Sequence, residues 1–356
     1  MSPLLSIIIP AYNASDFISD AIESVLDQEF KDFELLIIND GSTDSTLEII
    51  NEFALKDNRI KAFSIKNSGP SAARNFGINE SKGKYLMFLD SDDTFSKNAL
   101  DKVCSNLKDN PDMLIFGFYI NNISKNQIYE HNAKSVFFNV KNDLDKNFGD
   151  LYEKNQLNPV WNKAILTSVV KNNMITFEDY RYGEDRIFVF DCLCFCNNVK
   201  VVDDLLYNYN MLNSESLVTK FSEEKFEICN IIDDRIVALQ NTFGSFSSET
   251  NAKVSYMYLK SIISCLTNIF HTSCNYSFKE KKNAVRLIIS DDKVKVALNQ
   301  YKKHDFAMDV ITIVLKSQNV FLNMFMAKTI SFFNSNLSNI ALHLKHPLST
   351  LSKNKS

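Results

Sequence analysis

The chain has 356 residues, a formal net charge of −4 and a pI near 5.8, so no surplus of positive charge recommends nucleic acid as its main partner. Hydrophobic residues at 45% and charged residues at 23% are those of a globular protein, and the length allows more than one domain. Eight Gly and six Pro are too few for a linker-rich chain, and the longest apolar stretch, 310–333, is interrupted by Lys316, Gln318, Asn319, Asn323 and Lys328, short of the roughly 18 residues that span a bilayer.

The N-terminal part alternates strand and helix signals. "LLSIIIP" is a β-branched run closed by Pro10. "SDFISDAIESVL" follows with helical spacing and Ser15 as its expected N-cap. "FELLIIND" reads as the second strand, and "STLEIINEFA" as a helix whose Ser45 and Glu48 fit a capping box. "IKAFSI" is a third, weaker strand. "GPSAARNFGI" opens a helix with Ser71 as its expected cap. "YLMFLD" is the fourth strand and "DMLIFGFYI" the fifth. Near-continuous apolar strands alternating with helices imply a mostly parallel sheet covered on both faces, with ligands beyond the carboxyl ends of the strands. Asp40 and Asp90 end the second and fourth strands, so both are expected on one rim.

Residues 120–157 are polar and resist assignment. "NPVWNKAILTSVV" and "GEDRIFVFDCLCFC" read as helices, and "VKVVDDLLYNYN" as a strand with an extended tail. From about residue 221 the pattern is helical. "MSPLLSIIIPAYN" lacks a basic start and a small-residue cleavage site, so the seven cysteines are expected to be reduced thiols in a cytoplasmic protein. Cys192, Cys194 and Cys196 read as small buried side chains rather than metal ligands.

Chemistry concentrates at the expected rim. Asp90, Ser91, Asp92 and Asp93 follow an apolar strand with no basic residue among them. If the segment is extended, Asp90 and Asp92 point the same way, and two hard oxygen ligands suit Mn²⁺ or Mg²⁺. The competing reading is a solvated acidic loop. Asp40 is placed to accept a hydrogen bond from a ligand N–H. Arg74 and the helix start in "GPSAARN" suit an anion. Tyr12, in "PAYN", offers a ring for stacking on a base.

The stretch from Ser6 to Asp93 resembles the inverting family 2 glycosyltransferases, which have the GT-A fold. The matching segments are "SIIIPAYN", "ELLIINDGSTDST", "NSGPSAARNFGINESKGKYLMFLDSDD" and, further on, "GEDRIFVF". The resemblance implies a Rossmann-like α/β domain over residues 1–220 and a helical extension over 221–356. A nucleotide-sugar half would cover 1–115 and an acceptor half 116–220. It also implies roles. Pro10, Ala11, Tyr12 and Asn13 look like the uridine-contacting loop, Asp40 like the residue that binds the uracil N–H, and Arg74 like the arginine near the nucleotide. Asp90 and Asp92 look like the D-x-D motif, with Ser91 between them, and Asp92 as the metal ligand. Asp185 of the Glu184-Asp185 pair looks like the base that takes the acceptor's proton. A helix N-terminus there is expected to hold its pKa down. Trp161, the only tryptophan, is expected either as a sugar platform or as core. Asn162 and Lys163 resemble a polar pair of these enzymes without an assigned role. Asn210 stands where the family often has Arg, and a loop over 211–220 with Lys220 would have to supply charge instead.

The expected activity is metal-dependent transfer of a sugar from a UDP-sugar to a glycan or lipid-linked glycan of a bacterial surface polysaccharide: lipopolysaccharide, O-antigen or capsule. Two other readings compete: a sugar-1-phosphate nucleotidyltransferase, and a non-catalytic nucleotide-sugar-binding partner. A dehydrogenase is disfavoured because G-x-G-x-x-G is absent. After Asp309 the chain has no acidic residue, while Lys316, Lys328, Lys345, Lys353, Lys355, His343 and His346 remain. Residues 310–356 are therefore expected to dock on the inner face of an anionic membrane, or to pack on the catalytic domain or in a homodimer contact.

Overall fold

The computed structural model describes residues 2–211 and 221–336. The loop with Lys220, and the tail with Lys345, Lys353, Lys355, His343 and His346, lie outside the described residues. Two compact units are present: Met1–Leu217 with Ile231–Lys253, and Val218–Asn230 with Val254–Ser356.

The first unit carries ten strands among the described residues: β1 (Leu5–Ala11), β2 (Phe33–Asn39), β3 (Ile60–Ser64), β4 (Tyr85–Phe88), β5 (Thr94–Phe95), β6 (Met113–Asn122), β7 (Gln127–His131), β8 (Val136–Asn139), β9 (Lys163–Leu166) and β10 (Asn198–Met211). Its helices are α1 (Ile18–Leu26), α2 (Thr46–Lys56), α3 (Pro70–Glu80), α4 (Ala99–Leu107), α5 (Val140–Glu153), α6 (Thr167–Asn172) and α7 (Glu184–Leu193). The strands form one sheet in the order β3-β2-β1-β4-β9-β6-β10-β5, with β7 beside β6 and β8 beside β10. β1 is parallel to both β2 and β4, and β10 is parallel to β6. Ile7, Ile8 and Ile9 of β1 and Leu35–Ile38 of β2 are fully buried, which is why these strands read as unbroken apolar runs. α1 lays Ile18, Ala21, Ile22 and Val25 into the core as one stripe.

Several local expectations are corrected. α1 starts at Ile18, not at Ser15, whose N–H donates to Asp44 Oδ2. Ser45 makes no side-chain cap; Asp44 Oδ1 takes the Thr46 N–H and hydroxyl instead, and these bonds lower its pKa to about 2. Gly69 is the N-cap of α3, with Pro70 at its first position, while Ser71 sits inside the helix and donates to Glu178 O. The segment read as a helix over 158–170 contains β9, antiparallel to both β4 and β6, before the short α6. A four-residue strand, Lys163 followed by three apolar residues, leaves no period to read.

The second unit is helical. It takes the first turns of α8 (Lys225–Phe243), most of α9 (Ser248–Asn268), then α10 (Phe278–Ser290), α11 (Asp292–Gln300), α12 (Phe306–Lys316) and α13 (Val320–Asn336). α10 begins with a full capping box, Ser277 with Glu280. None of the described helices is long and apolar enough to cross a membrane.

Candidate active site

Parallel pairing fixes the rim. Ala11 of β1 lies opposite Asn39 of β2, and Ile8 opposite Phe88 of β4, so residues 12, 40 and 90 leave the sheet along the same edge. Tyr12 is half exposed there, and Pro10 and Ala11 close β1 beneath it. Asn13 is stitched to the neighbouring loop: its Oδ1 accepts the Thr43 N–H at 2.8 Å and its N–H donates to Ser42 Oγ at 3.0 Å. The Asp40 carboxylate is buried and accepts the Ser68 and Gly69 N–H groups, both at 2.8 Å. Gly41 beside it has φ 68°, and a Cβ there would come within 2.8 Å of Asn67 N, so the turn requires glycine.

The acid cluster is not extended. Asp93 N–H donates to Asp90 O, closing a turn, so strand alternation does not govern Asp90 and Asp92 as expected. The carboxylates separate by environment. Asp90 Oδ1 accepts from Arg74 Nη2 at 2.9 Å. Asp93 is buried and accepts the Tyr207 hydroxyl and the Asn210 N–H, both at 2.7 Å. Asp92 is exposed, and partial desolvation together with the charge on Asp90 pushes its carboxyl up. Ser91 is half-buried between them. The residue that answers the acidic cluster is therefore Arg74, sixteen positions upstream.

Arg74 is the hub. Its side chain is only 6% exposed, rests over the Phe177 ring, and reaches Glu184 Oε1 at 3.4 Å and Asp185 Oδ1 at 3.3 Å as well as Asp90. Burial works against its charge, and Asp185, Asp90 and Glu184 more than reverse that. α3 presents Ser71, Arg74 and Asn75 on one face, as helical spacing requires. Asn75 pins Phe177 through two 2.8 Å bonds, and Phe177 stacks on Phe188 of α7 at 4.0 Å. Gly183, at φ 82°, caps α7 in the left-handed region and brings Glu184 and Asp185 into its first turn.

The helix terminus does not hold these carboxyls down. Desolvation pushes Asp185 up against the opposing pull of Arg74, and burial and Asp185 raise Glu184 to about 7. Asp185 Oδ2 accepts the Val160 N–H at 3.3 Å, while its Oδ1 is ion-paired with Arg74 at 3.3 Å without a hydrogen bond of good geometry. Trp161 is buried, stacked on Tyr207 at 4.2 Å and parallel to Tyr209 at 5.7 Å. Two contributors had no sequence assignment. Asp93 latches β10 to the acidic turn, and Asn210 adds a bond from its Nδ2 to Asp92 O. The third acid of "DSDD" and the Tyr two residues before Tyr209 were the available signals.

The profile of glycosyl transferase family 2 matches residues 6–181. An uncharacterized glycosyltransferase of Haemophilus influenzae is 35% identical over 212 residues, covering 58% of this chain and 76% of the relative. The chain belongs to glycosyl transferase family 2. The putative glycosyltransferase EpsH of Bacillus subtilis is 26% identical over 318 residues, 84% of this chain and 87% of that one. Among solved structures, S. aureus TarS 1-349 in complex with UDP-GlcNAc superposes with a TM-score of 0.68 at 20% identity, covering 94% of this chain and 92% of that 1-349 chain. The fold is GT-A with C-terminal helices, and this family 2 member is a glycosyltransferase. The nucleotidyltransferase and non-catalytic readings are set aside.

Proposed function

We propose that this glycosyltransferase moves a sugar, with inversion, from a UDP-sugar to a hydroxyl of a glycan or lipid-linked glycan in bacterial surface-polysaccharide synthesis. The observation that carries the reading is Arg74, whose guanidinium joins the acidic turn to the Glu184-Asp185 pair within 2.9–3.4 Å. Donor-side and acceptor-side groups thus share one cation. The catalytic domain is assigned to residues 1–220, with the donor half at 1–115 and the acceptor half at 116–220.

Pro10, Ala11, Tyr12 and Asn13 would hold the uridine, with the exposed Tyr12 ring stacking on the base. Each Asp40 oxygen has accepted one N–H and keeps a lone pair for the uracil N–H. That a TarS structure holds UDP-GlcNAc supports a uridine donor. Asp92 and Asp90 would hold a cation that takes one or two protein carboxylates and the rest of its shell from water and phosphate. Mn²⁺ or Mg²⁺ held there would offset the charge that builds on the departing diphosphate. Asp185, its Oδ2 steadied by Val160 and its Oδ1 3.3 Å from Arg74 Nη1, would take the acceptor's proton. Glu184 and Trp161 are assigned to the acceptor side.

A panel of UDP-sugars tests this. At least one is expected to release UDP in Mn²⁺ and not in EDTA, and Asp92→Ala is expected to reduce that release to background. Release from none, or equal release in EDTA, overturns the reading.

We also infer peripheral docking on the inner face of an anionic membrane. α12 exposes Phe306, Val310 and Ile313 at helical spacing, and α13 exposes Phe321, Leu322 and Phe325. Residues 278–336 carry ten Lys and Arg against five Asp and Glu, in a chain of net charge −4. The protein is expected to float with phosphatidylglycerol vesicles, and Phe321→Asp with Phe325→Asp to stay behind. A concentration-dependent dimer lost in that variant, without flotation of the parent, would favour a homodimer face instead.

A further inference from the structure

Lys163 opens β9 and is fully buried, as are Gln156 and Asn162. A lysine so placed needs a reason, because burying an ammonium is costly unless each N–H is satisfied. Here each is. Nζ donates to Gln156 O at 2.7 Å, Pro159 O at 2.5 Å and Asn162 Oδ1 at 2.6 Å. Asn162 Nδ2 in turn donates to Phe116 O at 3.0 Å and Gln156 Oε1 at 3.2 Å. Both carbonyls bound by Lys163 lie in the turn that precedes β9. Between them and Lys163 lies Val160, whose N–H reaches Asp185 Oδ2. On its other side the turn is held by Trp161 stacked on Tyr207, the tyrosine bonded to Asp93.

We propose that Lys163 is a positioning residue for the acceptor-side base: its ammonium clamps residues 156–162 so that the Val160 N–H is presented to Asp185. The inference rests on the reading of Asp185 as base. Lys163 itself touches no site carboxylate, so its effect passes through the turn and through its field. The charged groups around Asp185 are Arg74 from α3, Glu184 on α7, Asp90 after β4 and Lys163 from β9. Lys163 faces Asp185 and the Cys192 thiol. Burial pulls Lys163 down to about 7, and Asp185 opposes that pull. A Lys163–Asp185 attraction favours ionised Asp185, as does the Val160 hydrogen bond.

The test is Lys163→Met in the full chain, with UDP affinity, kcat for transfer and the pH profile of kcat/KM measured together. UDP affinity is expected to stay within about twofold. A base displaced by a fraction of an ångström is expected to cost about 10- to 100-fold in kcat. The acid limb of kcat/KM is expected to move to higher pH, since two of the influences that favour the carboxylate are lost while Arg74 remains. Lys163→Arg, which keeps the charge, is expected to recover part of the rate. A purely structural lysine would lower stability without shifting that limb. Native kcat with an unshifted limb overturns the proposal. Should Lys163→Met not fold, Asn162→Ala removes one acceptor of the clamp and must show the same split at smaller amplitude; native behaviour there is equally fatal. Asp185→Asn separates the two claims. If it transfers at the native rate, the base assignment has failed; if it is inactive while Lys163→Met is native, only the clamp has failed.

Discussion

Asp185→Asn is expected to keep UDP affinity and lose transfer by about 10³-fold, within the range that a positioned general base contributes. The substitution preserves shape, and the amide oxygen can still accept the Val160 N–H. What disappears is the capacity to take a proton. The same carboxyl predicts the pH dependence of the native enzyme. Burial raises Asp185 above the ordinary aspartate range, and a base acts only when ionised. Transfer is therefore expected to fade at milder acidity than an ordinary aspartate would allow. A kcat/KM profile for parent and variant, with UDP binding by calorimetry, checks both points.

Arg74→Met should have the largest effect on stability. It leaves Asp90, Glu184 and Asp185 around an apolar side chain, and breaking a buried pair in this way costs about 3–5 kcal/mol. The cost depends on pH in a defined direction. Without the guanidinium, the folded-state pKa values of Glu184 and Asp185 rise further above their unfolded values. The folded variant then binds more protons than the unfolded chain, so its stability falls as pH rises. Urea unfolding should show a gap between parent and variant that is small near pH 5 and wide at pH 8. An equal gap at both pH values would mean that the loss is one of packing against Phe177, not of charge.

The rim was legible because parallel strands that are buried on both faces leave a strong apolar signature, and the first residues past them must turn at the same edge. Asp40 and Asp90 could be placed by counting strands. Arg74 could be named as a candidate, yet nothing in sequence said that it would meet Glu184, 110 positions away. That meeting depends on Asn75 and Ser71 pinning residues 177 and 178, bonds between segments that local patterns do not encode. The caps failed for a simpler reason. Ser15, Ser45 and Ser71 each had a plausible motif, but Asp44 and Gly69 satisfied or terminated the same backbone more directly. The acidic turn misled in the opposite way. Its carboxylates do sit at the rim, but its assumed extension is wrong, because a backbone bond from Asp93 to Asp90 outcompetes the strand.

β9 has a consequence for synthesis. β4 and β6 do not pair with each other; both pair with β9, which lies about forty residues after β6 in the chain. A ribosome that has released residues 1–122 has delivered the half-sheet β3-β2-β1-β4 and a lone β6, whose neighbours β7, β9 and β10 all come later, and the unpaired edges invite association with other chains. The seam closes only when Lys163–Leu166 slides in antiparallel, carrying its buried lysine. A fragment ending near residue 150 would hold every residue proposed above for the donor side and still be an aggregation-prone intermediate, so the proposed donor pocket would be inherited late, from a strand that contributes none of those residues.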